Sequence, residues 1–198
     1  MRKEKISMFY QIVAILILIT FYAFYFAKLI ILKKQSIRVN NMGFGDKSKK
    51  VLRIERLTSI ATVTVCVGGV FSIFLVKEYI PNGFRHAGII IGFVAIIFFA
   101  MATITMKSSW RVGIPAEKTT LITEGIYKWS RNPAFVGFDF MYISICLMYF
   151  NVPLLIFSIF AMLMLHLQIL QEEGHMQKMF GEEYVEYKKH TLRYFGRR

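Results

Sequence analysis

The chain has 198 residues, 56% of them hydrophobic, with 25 Lys and Arg against 12 Asp and Glu, a formal net charge of +13. So much apolar sequence excludes an ordinary soluble domain of this length. A nucleic-acid-binding protein is excluded as well, because the basic residues fall between long apolar runs, the pattern of membrane proteins.

The first apolar run, 8–32, is long enough to span a bilayer, for which roughly 20 helical residues suffice. It is too long for a signal-peptide core, and no small-residue cleavage site follows it. Lys28 can snorkel to the interface. The basic, turn-rich stretch 33–56 reads as a loop outside the membrane. A second span is predicted over 57–76, where Gly68 and Gly69 allow close helix packing or a kink. Pro81-Asn82-Gly83 reads as a turn before a third span over 87–106. Fourth and fifth spans, 133–150 and 153–170, are separated only by Asn151 and Val152, which predicts a tight antiparallel hairpin. Cys66 and Cys146 lie inside apolar runs and read as small core residues, with neither a disulfide nor a metal site expected.

The expected fold class is therefore an all-α integral membrane protein with five transmembrane helices and no partner nucleic acid. Lys and Arg number eight in 33–56, five in 107–132 and six in the tail, against five on the opposite side. The larger group belongs in the cytoplasm, so the central loop and the C-terminus should meet there. The tail ends without a retention or lipidation signal. A plasma (inner) membrane is preferred to endoplasmic reticulum.

Residues 117–137 form the longest polar interruption. Pro133 lacks an amide hydrogen and restricts Asn132 to extended conformations, so a helix should begin with Asn132 as N-cap and Pro133 at N1. Its N-terminus, with Arg131 beside it, would hold an anion. Tyr127, Trp129 and Phe135 add flat apolar surface that suits a ring. The same residues also fit an ordinary interfacial helix end with an aromatic belt. Trp110-Arg111-x-Gly113 has the look of an interfacial anchor at the entrance to this region.

After the fifth span, Gln168, Glu172 and His175 fall on one helical face. Glu173, Gln177, Phe180, Tyr184 and Tyr187 make a second, aromatic face if Gly181 does not break the helix. An amphipathic helix lying on the membrane surface accounts for the same pattern.

Together, Gly125-x-Tyr127-x-x-x-Arg131-Asn132-Pro133-x-Phe135-x-Gly137 and Glu172-Glu173-x-x-Met176-x-x-x-Phe180-Gly181-x-x-Tyr184-x-x-Tyr187 resemble the isoprenylcysteine carboxyl methyltransferase family. That family belongs with the membrane-embedded phospholipid and thiol methyltransferases. The resemblance covers about residues 101–195. It divides the chain into N-terminal helices, 1–100, and a methyltransferase region, 101–198.

The resemblance implies S-adenosylmethionine as cofactor, in a cytoplasmic pocket formed by the 107–135 loop and the C-terminal helix. It implies a cofactor-lining set of Thr119, Thr120, Leu121, Ile122, Tyr127, Asn132, Pro133, Ala134, Phe135 and Glu172, and places Gln168 at the substrate. The implied partners are the lipid bilayer and a lipophilic or lipid-linked acceptor such as an isoprenylcysteine-like carboxylate. Phospholipid-amine and small-thiol methyltransferases, or a non-catalytic membrane protein retaining the fold, are the alternatives. Asn132 and Phe135 replace the family's usual histidine and tyrosine, and Gln168 replaces its substrate-contacting arginine. The catalytic candidates are Arg131, at the anion corner, and Asp139, an intramembrane carboxylate about 9 Å into the fourth helix. His166 and His175 are further candidate bases.

Overall fold

A computed structural model describes residues 2–44, 47–75, 80–115 and 119–197, with side chains from residue 7 onward. Six α-helices account for most of it: α1 Arg2–Lys34, α2 Lys49–Leu75, α3 Asn82–Thr105, α4 Pro133–Met148, α5 Val152–Phe180 and α6 Glu182–His190. Single 3-10 turns occur at Lys107–Ser109 and Gly125–Lys128. Among the described residues there is no strand, only isolated bridges at Asn40–Val112 and Thr191–Arg197.

Four of the helices, α1, α2, α3 and α5, are long and apolar enough to cross a bilayer. α4 is also apolar but has 16 residues. At 1.5 Å per residue that is about 24 Å, short of the roughly 30 Å hydrocarbon thickness. α5 has 29 residues and runs about 43 Å, so its polar end, from Gln171, projects beyond what apolar burial requires.

Helix ends follow local chemistry. α4 starts at Pro133, whose missing amide hydrogen costs nothing at N1. Asn151 caps α5 by accepting from the Leu154 amide at 2.9 Å. Gly181 ends α5 with φ 54° and ψ −126°, a conformation that favours glycine, so the predicted tail helix is two helices. The predicted turn at Pro81-Asn82-Gly83 is the start of α3, with the Pro81 carbonyl accepting from Phe84 at 3.0 Å. The predicted end of the second span, Val76, lies outside the described residues.

The hairpin expected from α4 and α5 is splayed. α4 packs chiefly on α3, and α5 chiefly on α2. Glycine sets the first pairing: a Cβ at Gly88 would stand 2.8 Å from the Ser144 carbonyl, and one at Gly137 3.1 Å from the Phe99 amide. The Ser144 hydroxyl donates to the Gly88 carbonyl at 2.7 Å and locks the register. Gly68 likewise faces Phe157 of α5 while α2 continues through it unbroken.

The core between α1, α3 and α4 is aromatic, with Phe21 4.7 Å from Phe99 and 5.0 Å from Phe138 between ring centroids. Trp110 joins it, 4% exposed and edge-on to Tyr25 and Phe99. Its expected role as an interfacial anchor is therefore replaced by a core role, because the Lys107–Ser109 turn folds the chain back under α3.

Candidate functional site

The polar end of the bundle is held by two buried glutamates. Glu55, fully buried in α2, accepts from Lys47 Nζ at 2.7 Å, the Gly43 amide at 2.7 Å and the Ile114 amide at 3.2 Å. Lys47 also donates to the Asn41 carbonyl at 2.6 Å. Backbone bonds from Asn41 to Val112 and from Val112 to Val39 complete the join. This cluster fixes residues 112–114 against α2. Charge counting over 33–56 does not pair these residues; the signal for the pairing is a single acid, Glu55, among Lys47, Lys49, Lys50, Arg53 and Arg56.

Glu173, in α5, takes Arg131 Nε and Nη2 on one oxygen at 3.1 and 2.9 Å and Arg193 Nε and Nη2 on the other at 3.1 and 3.0 Å. Arg131 Nη1 donates to the Thr191 carbonyl. The Asn132 side chain, expected to cap α4, makes no capping bond and donates instead to Glu173 at 3.0 Å and to the Arg193 carbonyl at 3.2 Å. Arg131 is thus engaged by Glu173, a carboxylate it shares with Arg193, and is not the free anion partner expected from sequence, although the three-residue cluster keeps a net positive charge. The tail also pairs by backbone with 129–131, Arg131 N to Leu192 O at 3.1 Å and Gly196 N to Trp129 O at 2.7 Å.

Between these two clusters lies a cavity of about 120 Å³. Thr119, Thr120, Leu121, Ile122, Tyr127, Arg131, Asn132, Ala134, Phe135 and Glu172 from the sequence-predicted set all line it. His175, Met176, Tyr184 and Tyr187 from α5 and α6 complete the wall, and Trp110, Arg111 and Gly113 form its other side. The Tyr187 hydroxyl donates to the Tyr127 carbonyl at 2.6 Å, which ties α6 to the Gly125–Lys128 turn. Burial raises the Tyr127, Tyr184 and Tyr187 phenols well above their usual range, so all three stay protonated.

A second cavity, about 730 Å³ and mostly apolar, opens between α1, α2 and α4. Trp110, Arg111, Gly113, Ala134, Phe135 and Glu172 line both cavities and so form their common wall. Glu172 Oε1 accepts from Gln168 Nε2 at 2.9 Å. Gln168 stands on the larger cavity with Oε1 buried and unpartnered, and His175 stands on the smaller one with Nε2 in the same condition. The predicted strip of Gln168, Glu172 and His175 is therefore one face of α5 turned toward the two cavities.

Three predicted residues are elsewhere. Pro133 is buried beneath the wall without lining either cavity. Asp139, expected to be catalytic, lines neither cavity, and its buried Oδ1 has no hydrogen-bond partner. Phe138 points into the larger cavity, and the next residue on a helix turns about 100° away. His166 is bonded through Nδ1 to the Tyr194 hydroxyl, also away from both cavities.

A family model described as phospholipid methyltransferase matches residues 84–183. Protein-S-isoprenylcysteine O-methyltransferase of Xenopus laevis is 30% identical over 108 residues, 50% of this chain and 38% of that protein. The Rattus norvegicus protein of the same name is 31% identical over 94 residues, 45% of this chain and 33% of its own length. The Mus musculus protein is 31% identical over 93 residues, 44% and 32%. The matched region thus spans well under half of these curated relatives.

Proposed function

This chain belongs to the phospholipid methyltransferase family and resembles the isoprenylcysteine carboxyl methyltransferases within it, and we propose that it is an S-adenosylmethionine-dependent methyltransferase acting on a lipophilic acceptor. The observation that carries this reading is Glu172, a carboxylate on the wall common to a polar-end pocket and an apolar cavity. S-adenosylmethionine, when bound, supplies an electrophilic methyl group on a cationic sulfur.

The residues of the smaller cavity fit that ligand. Burial pushes the Glu172 carboxyl up to about 7, and an entering ammonium or sulfonium favours its ionised form, so the ion pair forms as the ligand binds. The amides at the start of α4 suit its carboxylate, Arg131 being already paired with Glu173. Tyr127, Phe135 and Tyr187 give flat surface for an adenine and Leu121 adds apolar contact, and the unpartnered His175 Nε2 is a buried polar atom that a polar ligand satisfies. About 120 Å³ is below the roughly 300–1,000 Å³ usual for ligand pockets, so binding entails an opening of the cavity walls. The larger cavity holds the acceptor in a water-poor space beside the common wall. Holding two reactants there in line is worth up to about 7–11 kcal/mol in well-oriented systems.

In this reading α4 completes five spans with the other apolar helices, and the catalytic region is 101–198. The pocket and C-terminus face the cytoplasm of a plasma (inner) membrane, where the excess of Lys and Arg belongs. The test is calorimetric titration of S-adenosylmethionine into detergent-purified protein. The wild type should bind saturably, and Glu172→Ala and Tyr127→Ala should each lose at least about tenfold in affinity, or 1.4 kcal/mol. A folded wild type that binds none contradicts the reading and leaves a non-catalytic membrane protein retaining the fold.

A further inference from the structure

The two buried glutamates and the smaller cavity occupy one end of the bundle, and the other end holds a buried cation of its own. Arg85 stands in the first turn of α3, whereas Thr105, at the last, abuts Gly125 of the turn that carries Tyr127. At 1.5 Å per residue the two lie about 30 Å apart along the helix, the thickness of bilayer hydrocarbon. With the candidate site at one membrane surface, Arg85 is therefore at the head-group level of the opposite leaflet.

Among the described residues, Glu55, Arg85 and Glu173 are the buried charged side chains, and Arg85 alone has no countercharge. It is 8% exposed, with its guanidinium carbon 5.0 Å from the centre of the Tyr10 ring and 5.5 Å from that of Tyr149. Tyr10 in turn shares a hydrogen bond with His86 Nε2 at 3.0 Å. The ring faces stabilise the charge but give its N–H groups no lone pairs along their bond directions. Arg85 Nε and the Tyr149 hydroxyl are both buried without a hydrogen-bond partner. A desolvated charge left in that condition is costly.

Its position in the helix adds to the demand for an anion. α3 has no acid in its first turn, where the amides lack intrahelical acceptors and the helix dipole is positive. Gly83, in the same turn, has open space where a Cβ would stand, which leaves room beside those amides. A planar guanidinium, a free phenol and open amides together form a donor set for a group with several anionic oxygens. At the head-group level of a bilayer that group is phosphate. We propose that Arg85, with Tyr10 and Tyr149 at its sides, is a phosphate site that takes the phosphodiester of a phospholipid from the leaflet opposite the candidate functional site. The lipid is held there as a structural partner, and the site is independent of the methyltransferase reading.

The test is thermal unfolding of the full chain in a maltoside detergent, which brings no phosphate, while dioctanoylphosphatidylglycerol is titrated in. A ligand that binds only the folded state raises the midpoint. The wild type should show a saturable rise that dioctanoylglycerol, the same chains without the phosphate, does not reproduce. Arg85→Gln should need at least about tenfold more phospholipid for half of that rise. Arg56→Gln removes an exposed cation of α2 outside the site and should stay within about twofold of the wild type. Arg85→Lys keeps the charge, and with it the fold, but not the planar fork, and should lose at least about threefold. Inorganic phosphate that gives the full rise at the same concentration overturns the assignment to a lipid. A wild-type response in the Arg85 variants, an equal rise with dioctanoylglycerol, or no saturable rise in the wild type overturns the site itself.

Discussion

Glu172 and Glu173 are neighbours in sequence and opposites in structure. Glu173 is 6% exposed and has both oxygens filled by Arg131, Arg193 and Asn132. Glu172, about 100° further round α5, has one amide partner and faces two cavities. The first carboxylate has the arrangement of a latch that holds the tail against α4. The second has the unused bonding capacity of a site that receives a ligand. A row of acids at the end of an apolar helix thus divides into structure and function by the partners each residue finds, not by charge or position alone.

That contrast is broken most severely at the latch. Glu173→Ala leaves the Arg131 and Arg193 guanidinium groups without their carboxylate, one of them almost fully buried. Removing one partner of a buried ion pair typically costs about 3–5 kcal/mol. Thermal unfolding in detergent should show a fall of roughly 10 °C. Limited chymotryptic digestion should cleave the tail faster than in the wild type at Tyr194 and Phe195, whose side chains are exposed but whose backbone is held by the pairing of Leu192 and Gly196 with 129–131.

Glu55→Gln should come next, at about 3 kcal/mol, because it leaves Lys47 buried without a countercharge. It should also weaken S-adenosylmethionine binding, since Glu55 positions the Ile114 amide and with it one wall of the smaller cavity. A variant that loses stability but keeps full affinity would show that this wall does not need its anchor. Tyr187→Phe removes the hydroxyl that joins α6 to the Tyr127 carbonyl, a loss of about 1 kcal/mol measured by denaturation.

At the small end of the scale, Glu172→Gln keeps the acceptor for Gln168 and should move the unfolding midpoint by less than about 1 kcal/mol equivalent while binding is lost. Asp139→Asn should leave S-adenosylmethionine affinity within about twofold of wild type, because Asp139 lines neither cavity. A tenfold loss in that variant would return Asp139 to the site.

Much of this architecture is legible in the sequence because apolar runs and helix punctuation are local signals. The apolar centres of α1, α2 and α3 follow from hydrophobic runs, the start of α4 from Asn132-Pro133, and the break after α5 from Gly181, whereas α2 begins at Lys49, inside the stretch 33–56 read from sequence as a loop, because its polar first turns are held by Glu55 rather than by apolar pattern. Most of the cavity-lining residues share one loop and two helix ends, so their sequence proximity reveals them. What escapes the sequence depends on contacts between distant segments. Glu173 is separated from Arg131 by 42 residues, and Glu55 from Ile114 by 59. Neither pairing is visible in spacing. The same holds for Trp110, whose burial depends on Tyr25 of α1, and for α4 and α5, whose adjacency in the chain suggested a pairing that the glycines of α3 take instead.

The most direct test of the account is methyl transfer itself, read in nanodiscs with methyl-labelled S-adenosylmethionine and a membrane lipid extract as acceptor pool. The account predicts protein-dependent label in the organic phase, retained in Asp139→Asn and lost in Glu172→Gln although that variant keeps its fold. A wild type that binds the labelled donor yet transfers none, or a Glu172→Gln variant that transfers as well as wild type, would contradict it.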